Sequence, residues 1–131
     1  MPQSTPPSKP VEAYKEIIDQ LVNETSHSGP SRRIEEKGVF SNAAVHQPFN
    51  EFIRTLSADQ RNLLAKMFQE ERASTIHDVL AVLTWWINTR EVGLTYRGKP
   101  MPVELSGMGL HGDYVGRRDG WNWPDSSDSD A

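Results

Sequence analysis

Apolar residues recur at helical spacing in two stretches of the first half of the chain. One runs from Val11 to Asn23, with acidic and amide side chains on the opposite face. Pro10 precedes it and suits a first helical turn, where its missing amide hydrogen is not needed. The other runs from Phe49 to Leu56 and predicts a short helix beginning near Pro48. Each of these two stretches therefore predicts a helix.

Residues from Ser57 onward carry the longest helical pattern, which we expect to form two helices. Ser57 to Gln60 matches the capping box, in which the hydroxyl and the amide satisfy free backbone N–H groups. The first helix should end near Arg72, and Thr75 to Asp78 resembles a second N-terminal cap. The second helix should continue to about Glu91 as the central helix of the fold. Its expected core stripe is Ile76, Val79, Leu80, Leu83, Trp86 and Ile87.

The rest of the chain has weaker periodicity. Arg32 to Lys37 predicts a short helix closed by Gly38. Leu94 to Val103 predicts a small hairpin whose prolines confine it to an edge. Ser106 to Pro124 is rich in glycine and tryptophan, and we expect it to wrap over the helices as an irregular segment.

These elements predict a mainly α fold. We expect a small single-domain helical bundle with a short β-hairpin and an irregular Gly/Trp-rich C-terminal segment. A length of 131 residues suits one domain. The helical domain should span residues 11–124. Residues 1–10 should form a disordered proline-rich arm, and residues 125–131 a disordered acidic tail.

Charge and composition exclude several classes of function. The net charge is −4, and three of the 18 acids lie in the last seven residues, so the body is close to neutral. A neutral body lacks the basic surface that nucleic acid requires. No apolar run is long enough to span a membrane, and the first ten residues do not form a secretory signal. Without cysteine, disulfides and zinc–thiolate sites are excluded. We expect a cytoplasmic protein without cofactor.

Trp85 is the first candidate binding residue. At about 100° per residue it lies opposite the core stripe of its helix. An indole in that position exposes a large apolar area unless something covers it. Trp85 could be covered by the segment from Trp121 to Trp123, by the loop at 39–45, or by a second copy of the chain. We favour cover within the chain and keep a homodimer or partner surface as the alternative.

A polar cluster is expected where the two predicted helices after Ser57 meet. Glu71, His77 and Asp78 lie close together there in the sequence. We favour a structural role, in which a salt bridge and helix caps fix the turn. A ligand site is the alternative. The six-residue spacing of Glu71 and His77 matches no helical metal motif, so we predict no metal.

The glycine-rich segment carries the remaining candidates. His111 and Asp113 are followed by Arg117 and Arg118, and a guanidinium pair suits a carboxylate or phosphate. No strand–helix–strand unit surrounds the glycines, so they do not form a dinucleotide site. We favour a segment packed onto the helices by Trp121. The alternative is a small-ligand site shared with the predicted helix turn.

The sequence contains no recognisable catalytic motif. The favoured function is therefore a non-enzymatic interaction or regulatory protein, with homodimerisation as one form of it. The alternative is a small-ligand-binding protein or enzyme. Its polar site would combine Glu71, His77 and Asp78 with the segment from His111 to Arg118.

Part of the chain resembles known sequences. The resemblance lies in Leu56 to Met67, Glu70 to Arg72, Ile76 to Ala81, and the pair Trp85 and Trp86. These residues resemble small uncharacterised bacterial helical domain families. The resemblance covers about a quarter of the chain and implies a bacterial cytosolic helical protein without an assigned activity. It transfers no catalytic residue.

Overall fold

The structure is a computed structural model that describes residues 5–26 and 29–124. In chain order its elements are α1 (Pro10–Ser26), α2 (Gly29–Lys37), α3 (Gln47–Arg54), α4 (Ala58–Thr89), β1 (Thr95–Tyr96), β2 (Lys99–Pro100) and α5 (Gly109–Arg118). The protein is mainly α with a small hairpin, as predicted. Residues 1–4 of the predicted arm and all of the predicted tail lie outside the described residues. Residues 5–10 are described, and Pro10 already belongs to α1. The disorder of the arm and the tail stays a prediction.

Several predicted helix ends are confirmed. Ser57 N donates to Gln60 Oε1 at 2.8 Å and Gln60 N donates to Ser57 Oγ at 3.2 Å, which is the expected capping box. Gly38 follows α2 with a φ of +68°, a left-handed conformation that glycine adopts without strain. Pro30 lies in the first turn of α2, so the Gly29–Pro30 pair starts this helix earlier than expected.

The predicted break between Arg72 and Thr75 is wrong. Helix α4 continues for 32 residues from Ala58 to Thr89. Residues 70–78 contain neither glycine nor proline, and an exposed Thr75 is tolerated inside a helix. A cap-like pattern starts a helix only when the preceding residues have already stopped one.

The predicted irregular course of the C-terminal segment is also wrong over Gly109–Arg118, which forms α5. Leu110 and Tyr114 are four residues apart and both are buried, so they define one packed helix face. Buried Thr84 accepts a hydrogen bond from Leu110 N at 3.0 Å and joins the start of α5 to α4. Packing therefore outweighs the low helix propensity of the glycines.

The chain folds into two compact units, whose boundaries fall within α1 and α4. The first unit comprises the described parts of Met1–Val22 and Ile76–Ala131. Its buried core is Tyr14, Ile18, Leu80, Leu110 and Tyr114. The second unit is Asn23–Thr75, and its buried core is Ile34, Ile53 and Ala65, with Phe40 and Leu64 packed against them.

The core stripe of α4 is narrower than predicted. Leu80 is buried, and Ile76, Leu83 and Ile87 pack beside it in the first unit. Val79 and Trp86, which were expected in the stripe, are exposed. Apolar spacing marks a broad face of a helix, whereas the neighbouring elements decide which edge of that face is covered.

The predicted hairpin is confirmed. Thr95 pairs with Pro100 and Tyr96 with Lys99 in antiparallel register. Arg97 and Gly98 form its two-residue turn with positive φ angles of 50° and 79°, as short hairpins require. Tyr96 also donates a hydrogen bond to the Pro7 carbonyl at 2.6 Å. Across the described residues, no helix combines the length and apolar character needed to cross a bilayer.

Candidate functional site

Asp113 is fully buried and holds the start of α5 against α1 within the first unit. Its carboxylate accepts hydrogen bonds from the Tyr14 hydroxyl and from Leu105 N and Ser106 N, the last two at 2.8 Å. Burial, then the hydrogen bond to Asp113, raise the pKa of Tyr14 far above its ordinary value. The phenol therefore stays protonated as a donor. These contacts give Asp113 a structural role.

Arg117 is also engaged within the fold. Its guanidinium contacts both carboxylate oxygens of Asp19, at 2.7 and 3.2 Å, and donates to the Trp121 carbonyl at 2.7 Å. Trp123 Nε1 donates to the same carboxylate at 3.0 Å. A Cβ added at Gly116 would lie 3.3 Å from the Trp121 ring, so this glycine allows the indole to approach α5. Arg117 and Trp121 thus fasten the end of the segment.

His77 and His111 are the candidate residues that the structure brings together. Their ring centroids lie 5.1 Å apart and the rings are perpendicular. His77 Nδ1 lies 3.1 Å from Asp78 Oδ1, and His111 Nδ1 lies 3.4 Å from Thr84 Oγ1. The polar site that we kept as the alternative for this region therefore assembles only in part, because Asp113 turns into the core.

Glu71 does not lie at a helix junction, because α4 is continuous there. It is exposed in the second unit and lines a shallow depression on α4. That depression is lined by Leu63, Lys66, Met67, Glu70, Glu71 and Ser74. Within residues 5–26 and 29–124, no group of three or more potential ligands is placed to hold a metal ion.

Trp85 and Trp86 remain uncovered. They are 48 % and 47 % exposed, and their rings meet edge to face at 5.6 Å. The Arg90 guanidinium lies 4.7 Å from the Trp85 ring centroid. Val79 and Val82, both 61 % exposed, extend the apolar surface along α4. We call Val79, Val82, Trp85 and Trp86 the α4 outer face.

The favoured prediction that Trp85 is covered within the chain is wrong for the described residues, because 48 % of Trp85 is exposed. Trp123 packs edge to face on Tyr14 with ring centroids 5.9 Å apart, and Trp121 packs on Gly116. These two indoles face α1 and α5 because Asp19 and Arg117 hold them there. The predicted position of Trp85 opposite the core stripe is correct.

A second apolar site, which the sequence did not predict, lies in the second unit. It is a groove of about 380 Å³. Its lining residues are Phe40, Pro48, Phe49, Phe52, Ile53, Leu64 and Phe68. The helical spacing of Phe49 and Phe52 was visible in the sequence. The approach of Phe40, with its ring 5.4 Å from Phe49, was not.

The wall of this aromatic groove is fixed by polar contacts. Buried Asn50 accepts from Phe40 N and donates to the Ser41 carbonyl, each at 2.8 Å. Arg33 Nε donates to the Phe40 carbonyl at 2.8 Å. His46 stacks on Phe49 with centroids 5.2 Å apart. The groove is therefore largely pre-formed, as small-molecule sites usually are.

Comparison with known proteins gives one match. A family model described as a family of unknown function (DUF6547) matches residues 7–125. No curated protein and no solved structure matches the chain.

Proposed function

The chain belongs to this family of unknown function, and we propose that it is a non-enzymatic interaction protein. In this proposal it forms a homodimer through the α4 outer face. The observation that carries the proposal is the half-exposure of Trp85 and Trp86 beside exposed Val79 and Val82. Tryptophan is enriched among the residues that dominate binding energy at protein interfaces. The resemblance of residues 56–86 supports a bacterial, cytoplasmic setting as part of the proposal.

The size of the surface predicts a weak dimer. A buried aromatic side chain removes roughly 150–250 Å² from water, so the four residues offer about 400 Å² per copy. Two copies would bury about 800 Å² in total, which is below the roughly 1,200–2,000 Å² of stable interfaces and in the range of weak, transient ones. We therefore expect a dissociation constant on the order of 10 µM.

The polar candidates support the non-enzymatic part of the proposal. Asp113 is fully buried with three donors, and Arg117 is paired with Asp19. A general acid, general base or anion clamp has to reach a substrate. Both side chains instead hold secondary structure elements together.

Sedimentation equilibrium tests the proposal. The chain should approach dimer mass as its concentration rises, and replacing Trp85 and Trp86 together by serine should leave a monomer. Leu63→Ser with Met67→Ser is the matched control, since both are exposed apolar residues of α4 in the second unit. A chain that stays monomeric, or a tryptophan variant that associates like the wild type, would contradict the proposal.

A second candidate function is binding of a small aromatic or aliphatic molecule in the aromatic groove. Its volume of about 380 Å³ lies within the range of ligand pockets, and no charged side chain lines it. Anilinonaphthalene sulfonate is a suitable probe. Phe52→Gln should weaken probe binding about tenfold, whereas the double tryptophan variant should retain it. Equal losses in both variants would show that the probe reports general exposed surface.

A further inference from the structure

Two residues of the α4 outer face, Val82 and Trp86, belong to a row that has a charged residue at each end. Asp78, Val82, Trp86 and Arg90 are spaced by four, and Arg90 N still donates to the Trp86 carbonyl at 2.9 Å. Side chains at such spacing form a ridge on a helix surface. The row begins with an acid, continues through two apolar residues and ends with a base.

From this order we infer an antiparallel pairing of α4 with α4 of a second copy, in which Asp78 of each copy lies beside Arg90 of the other. The inference rests on the proposed dimer and adds its orientation and register. A two-fold axis between Val82 and Trp86 places Asp78 opposite the other copy's Arg90, and Val82 opposite its Trp86. Each contact then occurs twice, as a two-fold symmetric interface requires.

Charge complementarity selects this arrangement over the parallel one. A parallel pairing in register sets Asp78 beside Asp78 and Arg90 beside Arg90, and like charges in contact oppose association. The antiparallel pairing converts both contacts into opposite-charge pairs. Because the apolar area is small, these pairs determine the orientation more than the affinity.

Both charged groups are placed to make these contacts. The Asp78 side chain is 76 % exposed and touches only its neighbour His77 among the polar contacts of the described residues. The Arg90 guanidinium lies over Trp85 and donates to the Thr89 carbonyl at 3.2 Å. Arg90 thus lies at the border of the apolar surface, and its guanidinium forms no salt bridge with an acidic residue in the described part of the chain.

Charge reversal tests the register. Asp78→Arg and Arg90→Asp should each weaken self-association roughly tenfold in low salt, because each creates two like-charge contacts. The two single variants mixed in equal amounts should associate again, since every cross-contact between them is complementary. The double variant D78R/R90D should also recover. Glu71→Arg, a charge reversal on the exposed second-unit part of α4, is the control and should associate like the wild type.

Sedimentation equilibrium at low and high salt measures these variants, with circular dichroism confirming that each is folded. Recovery in the mixture and in the double variant supports the antiparallel register. Single variants that associate like the wild type overturn the register, while the proposed dimer stands if the double tryptophan variant is still monomeric. A wild-type chain that is monomeric at about 0.1 mM overturns both.

Discussion

Asp113 shows how a single buried carboxylate can order several segments. Its two oxygens receive the Tyr14 hydroxyl and two backbone amides, which lie in different parts of the chain. Removing the carboxylate leaves one buried and two partly buried donors without this acceptor, and each such loss costs up to about 1–3 kcal/mol. The spacing of 99 residues between Asp113 and Tyr14 explains why the sequence did not reveal this role.

We predict that Asp113→Ala lowers the free energy of unfolding by about 3 kcal/mol or more, measured by urea denaturation. Tyr14→Phe removes one donor and leaves the carboxylate with its two amides, so it should cost only about 1 kcal/mol. Equal losses in the two variants would show that Asp113 acts through the tyrosine alone.

Alkaline pH gives a second prediction for the same pair. The pKa of Tyr14 is raised in the folded state, so the folded chain keeps a proton that the unfolded chain releases above pH of about 10. The stabilisation is complete below that pH and is lost as the pH rises. Relative to Tyr14→Phe, the wild type should lose about 1.4 kcal/mol of stability per pH unit above 10. Parallel curves of melting temperature against pH for the two proteins would contradict this prediction.

The two adjacent tryptophans, Trp85 and Trp86, show which features of single residues the sequence could predict and which it could not. Trp85 lies opposite the buried residues of α4, and this position followed from helical geometry alone, whereas its exposure did not. Trp86 lies at the edge of the apolar stripe, where geometry alone does not separate core from surface. The partners on α1 and α5 decide that edge, and they come from distant parts of the sequence.

At the scale of elements, α4 contains a residue that resembles a helix cap but is not one, and it is preceded by a true cap. Ser57 makes both bonds of a capping box, whereas Thr75 lies inside the helix. The residue types are similar at the two places. The difference is that Ser57 comes after the end of a helix, because α3 ends at Arg54, whereas the residues before Thr75 are still helical.

We predict that Ser57→Ala and Thr75→Ala have different effects on thermal stability. Losing a true cap costs about 1 kcal/mol, so Ser57→Ala should destabilise the protein. Alanine is a better helix former than threonine, so Thr75→Ala should be neutral or stabilising by a few tenths of a kcal/mol. A large loss in Thr75→Ala would indicate a break in α4.

Helix α5 was the least predictable element. Its sequence contains three glycines in ten residues, which is typical of a loop. Its helical state depends on Leu110, Tyr114 and the contact with Thr84, all of which require the folded core. By contrast, α1 carries a complete amphipathic pattern of its own, and the sequence predicted it nearly to its ends.

At the scale of the whole molecule, the mainly α class followed from the sequence, but the division into two compact units did not. Each unit has its own buried cluster, and no glycine or proline marks the boundary within α4. Sequence separates units when a linker lies between them. Here the helices themselves pass from one unit to the other, so the local pattern continues without a change.

The C-terminal residues offer a test of how the first unit is closed. Truncation after Arg118 removes Trp121 and Trp123, which pack on Gly116 and Tyr14, and frees Arg117 from the Trp121 carbonyl. Losing two partly buried indoles should cost about 2–3 kcal/mol, which lowers the melting temperature by roughly 10 °C or more for a chain of this size. Truncation after Pro124 is the matched control, because it removes three acids but keeps both tryptophans, and it should change the melting temperature little. If both truncations melt at the same temperature, the tryptophans contribute no net stability and the first unit is closed by Asp113 and α5 alone.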